Sequence, residues 1–217
     1  MKKAERFAAF IHYFKEKQPN AETELEYSSP FQLLIAVILS AQCTDKRVNL
    51  ITPALFRDFP TPEILAQATF EDVFPYIRSC SYPNNKTKHL IGMANMIVAD
   101  FNSEVPEDLI DLQKLPGVGR KTANVVANVI FHQATMPVDT HVFRVAKRLG
   151  LAMQKCKTPL EVEKQLVRYI PKDYLGKAHH WLILHGRYVC LARKPKCEQC
   201  QLKDICRYYE KNKKVLA

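Results

Sequence analysis

No segment of this 217-residue chain is apolar enough to cross a bilayer: the longest uninterrupted apolar run, Leu33 to Leu39, falls far short of the roughly 20 residues a spanning helix needs. A secretory leader is not expected either, because Arg6, His12 and Lys15 interrupt the segment after Lys2 and Lys3 before an apolar core can form. The chain is therefore expected to stay in the cytoplasm. Glycine is scarce, at six residues, and no tract is of low complexity, which excludes fibrous and disordered classes. Acid is in short supply as well: 22 Asp and Glu against 32 Lys and Arg leave a formal charge of +10 and a pI of about 9.2. That excess is the footprint of a protein that meets a polyanion, and by itself it leaves DNA, RNA and an anionic membrane surface open.

Convincing strand alternation is also absent. Phe7, Ala8, Ile11 and Phe14 fall at helical spacing in residues 4 to 17. Ser29-Pro30 reads as a cap and first helical residue ahead of a segment apolar on every side, hence a buried central helix. Helical periodicity recurs around 46–57, 62–68, 70–78, 85–101 and 106–113, punctuated by Pro or Asn. Asp139 is placed to cap a helix ending near Leu149, with Gly150 as its left-handed stop, and two more helices are expected near 158–170 and 175–188. The fold class is all-α.

The richest stretch is Leu115-Pro-Gly-Val-Gly-Arg-Lys-Thr-Ala123. Pro116 and the glycines impose a tight turn immediately before a helix, a helix-hairpin-helix. Leu115, Gly117, Val118 and Gly119 would offer backbone to a phosphate, and Arg120 would add charge. Contacts of this kind hold a duplex without reading its bases. Arg120 and Lys121 stand at the positive end of the helix dipole, where acid is preferred, so their placement suits a bound anion. The same field would favour the neutral amine of Lys121, the nucleophilic form; the plainer role is one more phosphate-contacting cation. Asp139 has two readings also, as a helix cap or as a carboxylate that folds back to stabilise positive charge on a sugar.

Seven cysteines is an odd number, and Cys43, Cys80 and Cys156 are scattered. Cys190-x6-Cys197-x2-Cys200-x5-Cys206 instead gathers four thiols in a basic segment, a metal-site signal that fits zinc or a 4Fe-4S cluster equally. Arg193, Lys194 and Lys196 lie within it and suggest a second phosphate-binding surface. Lys211 to Lys214 reads as a solvated charge run.

Taken together, the hairpin sequence, Val138-Asp-Thr-His-Val-Phe-Arg-Val, His180-Trp-Leu-Ile-Leu-His-Gly-Arg-Tyr-Val-Cys190, Leu39-Ser-Ala-Gln-Cys-Thr-Asp45 and the cysteine spacing closely resemble the bacterial endonuclease III family of DNA glycosylase/AP lyases. The resemblance spans nearly the whole chain. It implies two lobes, a six-helix barrel module over residues 23–132 and a cluster lobe of 1–22 with 133–217, with damaged double-stranded DNA in the cleft between them. It implies Lys121 as nucleophile and Asp139 as essential carboxylate in removing oxidised pyrimidines, and Cys190, Cys197, Cys200 and Cys206 as ligands of a 4Fe-4S cluster without a redox step. Gln42 would fill the space left by a flipped nucleotide. A monomer in the bacterial cytoplasm, associated with the nucleoid, follows from the same likeness. One departure stands out: the family usually has Gly followed by a bulky apolar wedge where this chain reads Cys80-Ser-Tyr-Pro83, which gives the wedge to Tyr82.

Overall fold

The computed structural model describes the backbone of residues 1–216 and the side chains of residues 1–212, so Lys213 and Lys214 of the expected charge run lie outside the described side chains. Every regular element among the described residues is helical. In chain order they are α1 (Lys3–Lys17), α2 (Pro30–Ser40), α3 (Asp45–Asp58), α4 (Pro62–Ala66), α5 (Phe70–Ile77), α6 (Pro83–Asp100), α7 (Leu109–Lys114), α8 (Arg120–Val129), α9 (Thr140–Leu149), α10 (Pro159–Tyr169), α11 (Lys172–Tyr188) and α12 (Arg207–Leu216). The chain forms two compact units, Glu24–Phe131 and a second one made of Met1–Thr23 with the chain from His132 onward.

The first unit is organised around α2. Phe31 and all seven residues from Leu33 to Leu39 are buried, as a helix apolar on every side requires, and α3, α6 and α8 pack against it. Local chemistry sets the helix starts: Ser29 Oγ accepts from the Gln32 amide at 3.2 Å, Thr44 and Thr61 cap α3 and α4 in the same way, and Thr69 forms a capping box with Asp72 ahead of α5. The C-terminal end of α2 is held by a buried cation. Lys86 on α6 donates from Nζ to the Leu39 and Ala41 carbonyls at 2.7 Å each, placing positive charge at the negative end of the helix dipole.

The second unit joins the start of the chain to its last third through aromatic packing. Phe7, Phe10 and Phe14 of α1 are buried with Trp181 of α11, and Phe14 stacks on Trp181 with ring centroids 5.6 Å apart. Two polar ties fix α1 along its length: Trp181 Nε1 donates to the Gln18 carbonyl at 2.7 Å, and Arg6 Nε donates to the Ile205 carbonyl at 2.8 Å. Helices α9 and α11 pack where Gly186 lets them approach, since a Cβ there would stand 2.9 Å from His141 Cβ. Asp139 caps α9, and Gly150 stops it at φ 84°. Helix α11 starts at Lys172, three residues before the periodicity indicates, and α12 was not legible at all because its pattern is swamped by charge.

Candidate nucleic-acid interface and iron-sulfur loop

Helices α7 and α8 frame the hairpin. Gly117 adopts φ +81°, a backbone state that L side chains rarely take, and an added Cβ would stand 3.0 Å from His89 Cβ on α6. Its smallness is thus demanded by the turn and by α6. Gly119 is different: nothing lies within 4 Å of where its Cβ would be, so the backbone at the head of α8 is open to approach. Arg120 and Lys121 are exposed in the first turn of α8, beside amides that have no intrahelical acceptor by position. Leu115 and Val118 are buried, and the Val118 amide is spent on the Leu115 carbonyl at 3.0 Å. What those two residues bring to the hairpin is its rigidity.

Gln42 and Tyr82, the residues expected to enter the duplex, lie in the same unit and share an unusual conformation. Both have φ 55°, left-handed backbone that costs a non-glycine residue about 1 kcal/mol or more. Both side chains are exposed. The loops that carry them are stitched together: Ser81 Oγ donates to the Gln42 carbonyl at 2.7 Å, the Cys43 and Cys80 sulfurs are 3.9 Å apart, and Lys86 grips the Ala41 carbonyl next door. Sequence reasoning missed Ser81 and Lys86. The available signal was a lysine at a buried position of α6, which must find acceptors.

Asp139 belongs to the other unit. Its Oδ1 accepts from the Val142 amide at 2.8 Å, so the capping role read from the sequence is present. The approach to it is set by Pro137, whose carbonyl lies 2.9 Å from Nδ1 of the buried His179. His141 is held below its ordinary pKa by burial, which Asp139 partly opposes.

The four C-terminal cysteines line one open cavity, with Leu149, His185 and Tyr209 among its walls. Among the described residues no three His, Cys, Asp or Glu side chains gather closely enough to hold a single metal ion. Four thiols lining one cavity supply the all-cysteine donor set that an iron-sulfur cluster takes. Two arginines of α9 shape the loop: Arg144 donates to the Cys190 carbonyl at 3.2 Å and the Gly186 carbonyl at 2.8 Å. Arg148 donates to the Leu191 and Ala192 carbonyls at 2.6 and 2.9 Å and reaches Cys190 Sγ at 3.5 Å. These two cations sit one helical turn apart, a repulsive spacing unless both serve one electron-rich loop. Burial pushes the Cys200 thiol up to about 11 and raises Cys206 and Cys197, so filling the loop with iron must displace protons. Arg193, Lys194 and Lys196 are exposed between the first two cysteines, Lys194 at φ 50°.

The HhH-GPD superfamily of base excision DNA repair proteins matches residues 35–172, and the iron-sulfur binding domain of endonuclease III matches residues 190–206, the span that holds all four cysteines. Fold and site thus define a helix-hairpin-helix base excision repair protein. Endonuclease III of Rickettsia conorii is 51% identical over 196 residues, covering 90% of this chain and 92% of the relative. That of Escherichia coli K12 is 45% identical over 211 residues, 97% of this chain and 99% of its own length. A solved endonuclease III trapped as a covalent intermediate with DNA superposes with a TM-score of 0.92 at 42% identity, covering 98% of this chain and 100% of that one. The chain belongs to the endonuclease III family: it is a DNA-binding enzyme, a DNA glycosylase with abasic-site lyase activity, and carries a 4Fe-4S cluster.

Proposed function

We propose that Lys121 is the nucleophile and Asp139 the carboxylate of an enzyme that removes oxidised pyrimidines from duplex DNA. The observation that carries this is an exposed lysine in the first turn of α8, two residues after a glycine whose flank is open. Damage weakens stacking, and the nucleotide leaves the helix most readily there. The uncharged Lys121 amine attacks the anomeric carbon, the base departs with the bonding electrons and takes up a proton, and the sugar ring opens to an iminium. Asp139 stabilises the positive charge that grows on the sugar as the bond breaks. The iminium acidifies the adjacent C2′ proton, and its loss expels the 3′ phosphate, cutting the strand. That a relative at 42% identity has been trapped covalently on DNA supports an amine mechanism over attack by water.

Gln42 fills the vacated space and Tyr82 stacks against the opposite strand. Gly119 and the head of α8, with Arg120, hold one phosphate run on a hairpin that Leu115, Gly117 and Val118 shape, and Arg193, Lys194 and Lys196 hold another. Cys190, Cys197, Cys200 and Cys206 hold the cluster, which when bound supplies a rigid frame for that basic loop. The enzyme works as a monomer in the bacterial cytoplasm, drawn to the nucleoid by its +10 charge. Borohydride reduction during turnover on a thymine glycol duplex is expected to leave a covalent protein–DNA adduct, absent in Lys121→Ala. Wild-type protein that turns over without forming any adduct would refute the amine mechanism.

A further inference from the structure

Cys43 and Cys80 stand in the two loops that present Gln42 and Tyr82, with their sulfurs 3.9 Å apart. Their proximity is built in. Ser81 Oγ bonds the Gln42 carbonyl, and Lys86 Nζ bonds the Leu39 and Ala41 carbonyls, so the loops are pinned on both sides of the sulfur pair. A disulfide needs about 2 Å between sulfurs, so the pair lies about 2 Å short of bonding. The entropy of closing the chain between them has already been spent by the fold, which gives the thiols a high effective concentration.

The two thiols are unequal. Cys80 is buried, and that burial, with Cys43 beside it, pushes its thiol up to about 11. Cys43 is only partly buried and is the sulfur a dissolved oxidant meets first. Lys86 lies close enough for its charge to favour the Cys80 thiolate. Neither sulfur has a role in base removal, and neither is among the four cysteines that line the cluster cavity.

We propose that Cys43 and Cys80 are a redox modification site, a dithiol that a hydroperoxide converts to a disulfide and that then locks the Gln42 and Tyr82 loops together. The Cys43 thiolate attacks one peroxide oxygen, the O–O bond breaks, and the departing hydroxide takes a proton to become water. Cys43 is left as a sulfenic acid. Cys80 gives up its proton, its sulfur attacks the Cys43 sulfur, and the hydroxyl leaves as a second water. Two thiols lose two electrons, and one hydrogen peroxide becomes two waters. Reduction by a small dithiol reverses the bond. Drawing the sulfurs together shifts the residues next to them, Gln42 and Ser81, and a displacement near 1 Å is enough to spoil a fitted contact.

The locking half of the proposal rests on Gln42 acting within the duplex; the chemical half does not. The holoenzyme, Cys43→Ala and Cys80→Ala are treated with limiting hydrogen peroxide, alkylated, digested without reductant and mapped. The wild type should yield the Cys43 and Cys80 peptides joined, separable by dithiothreitol, and Cys80→Ala should leave a Cys43 sulfenic acid that dimedone traps. Recovery of both peptides unlinked after the peroxide is consumed overturns the site. Affinity of the oxidised wild type for a duplex with a reduced abasic analogue should fall roughly tenfold and return with dithiothreitol, while Cys43→Ala does not respond. Cross-linking without that fall overturns the locking. Gln42→Ala then separates the causes: if it weakens the same duplex, the role of Gln42 survives and only the lock is lost. An equal fall in Cys43→Ala, tracking oxidation of Cys190 to Cys206 in the same digest, assigns the effect to the cluster and also overturns the lock.

Discussion

Replacing Lys86 by methionine should reveal how firmly the Gln42 loop is held. The aliphatic stem keeps most of its packing, so the change removes chiefly an ammonium group and its two 2.7 Å bonds to the Leu39 and Ala41 carbonyls. A buried carbonyl left without its partner costs about 1–3 kcal/mol. The Leu39 bond is buried and should incur that cost, whereas the Ala41 bond is nearer the surface and water can replace it. Methionine avoids the desolvation that lowers the Lys86 pKa, which returns part of the loss. The net is about 2 kcal/mol, or roughly 6 °C in Tm for a chain of this size. Function should suffer more than stability suggests. The left-handed Gln42 is strained and persists only while its neighbours hold it, so affinity for an abasic-analogue duplex should drop roughly tenfold while single-stranded DNA binds as before. Thermal unfolding by circular dichroism and fluorescence anisotropy with the two DNAs measure both. Unchanged Tm and unchanged duplex affinity would refute the idea that this cation anchors the loop.

Burial holds His180 near a pKa of about 4, with Arg187 adding to the shift. The folded state therefore keeps it neutral where the unfolded chain, near 6.5, takes a proton. Its contribution is complete above pH 6.5 and is lost as pH falls toward 4; from pH 7 to 5 the loss is about 2 kcal/mol, and urea midpoints of His180→Gln should show a correspondingly shallower pH dependence. Gly186→Ala forces a Cβ to within 2.9 Å of His141 Cβ, which should destabilise the second unit by about 1–3 kcal/mol; an unaltered denaturation curve would show that α9 and α11 can part freely. Arg148→Met removes the donors to the Leu191 and Ala192 carbonyls, and iron analysis of the purified protein should find the cluster content reduced at least by half, by roughly the effect of losing two charged hydrogen bonds.

Much of this architecture was readable in the chain because its signals are local. Ser29-Pro30 marks the start of α2, Gly150 ends α9, and the glycines around Val118 make the hairpin, each through backbone geometry that a few residues decide. Of the residues singled out for chemistry, the structure puts Lys121 exposed at the head of α8, Asp139 at the cap of α9 and the four cysteines around one cavity. What escaped notice acts across long separations: Lys86 reaching back to α2, Ser81 bonded to Gln42, and Arg148 threading the loop after Cys190. A side chain paired with a carbonyl forty residues away leaves no periodic trace. Gly117 shows the converse, since sequence suggests room for a phosphate while the structure shows a turn and His89 requiring the same residue.

The union of α1 with α11 has a consequence for biosynthesis. Phe7, Phe10 and Phe14 are made before residues 24–131, but Tyr169, which stacks on Phe7, Trp181, which meets Phe10 and Phe14, and the Ile205 carbonyl that receives Arg6 are made after them. Residues 24–131 are contiguous and hold their own core, so they can fold as soon as they are out, while the aromatic stripe ahead of them waits uncovered. Iron delivery comes last in that order, to a lobe whose two pieces meet only after residues 24–131 have been made. The nascent chain thus has a long interval in which those three rings lack the aromatic partners that later cover them.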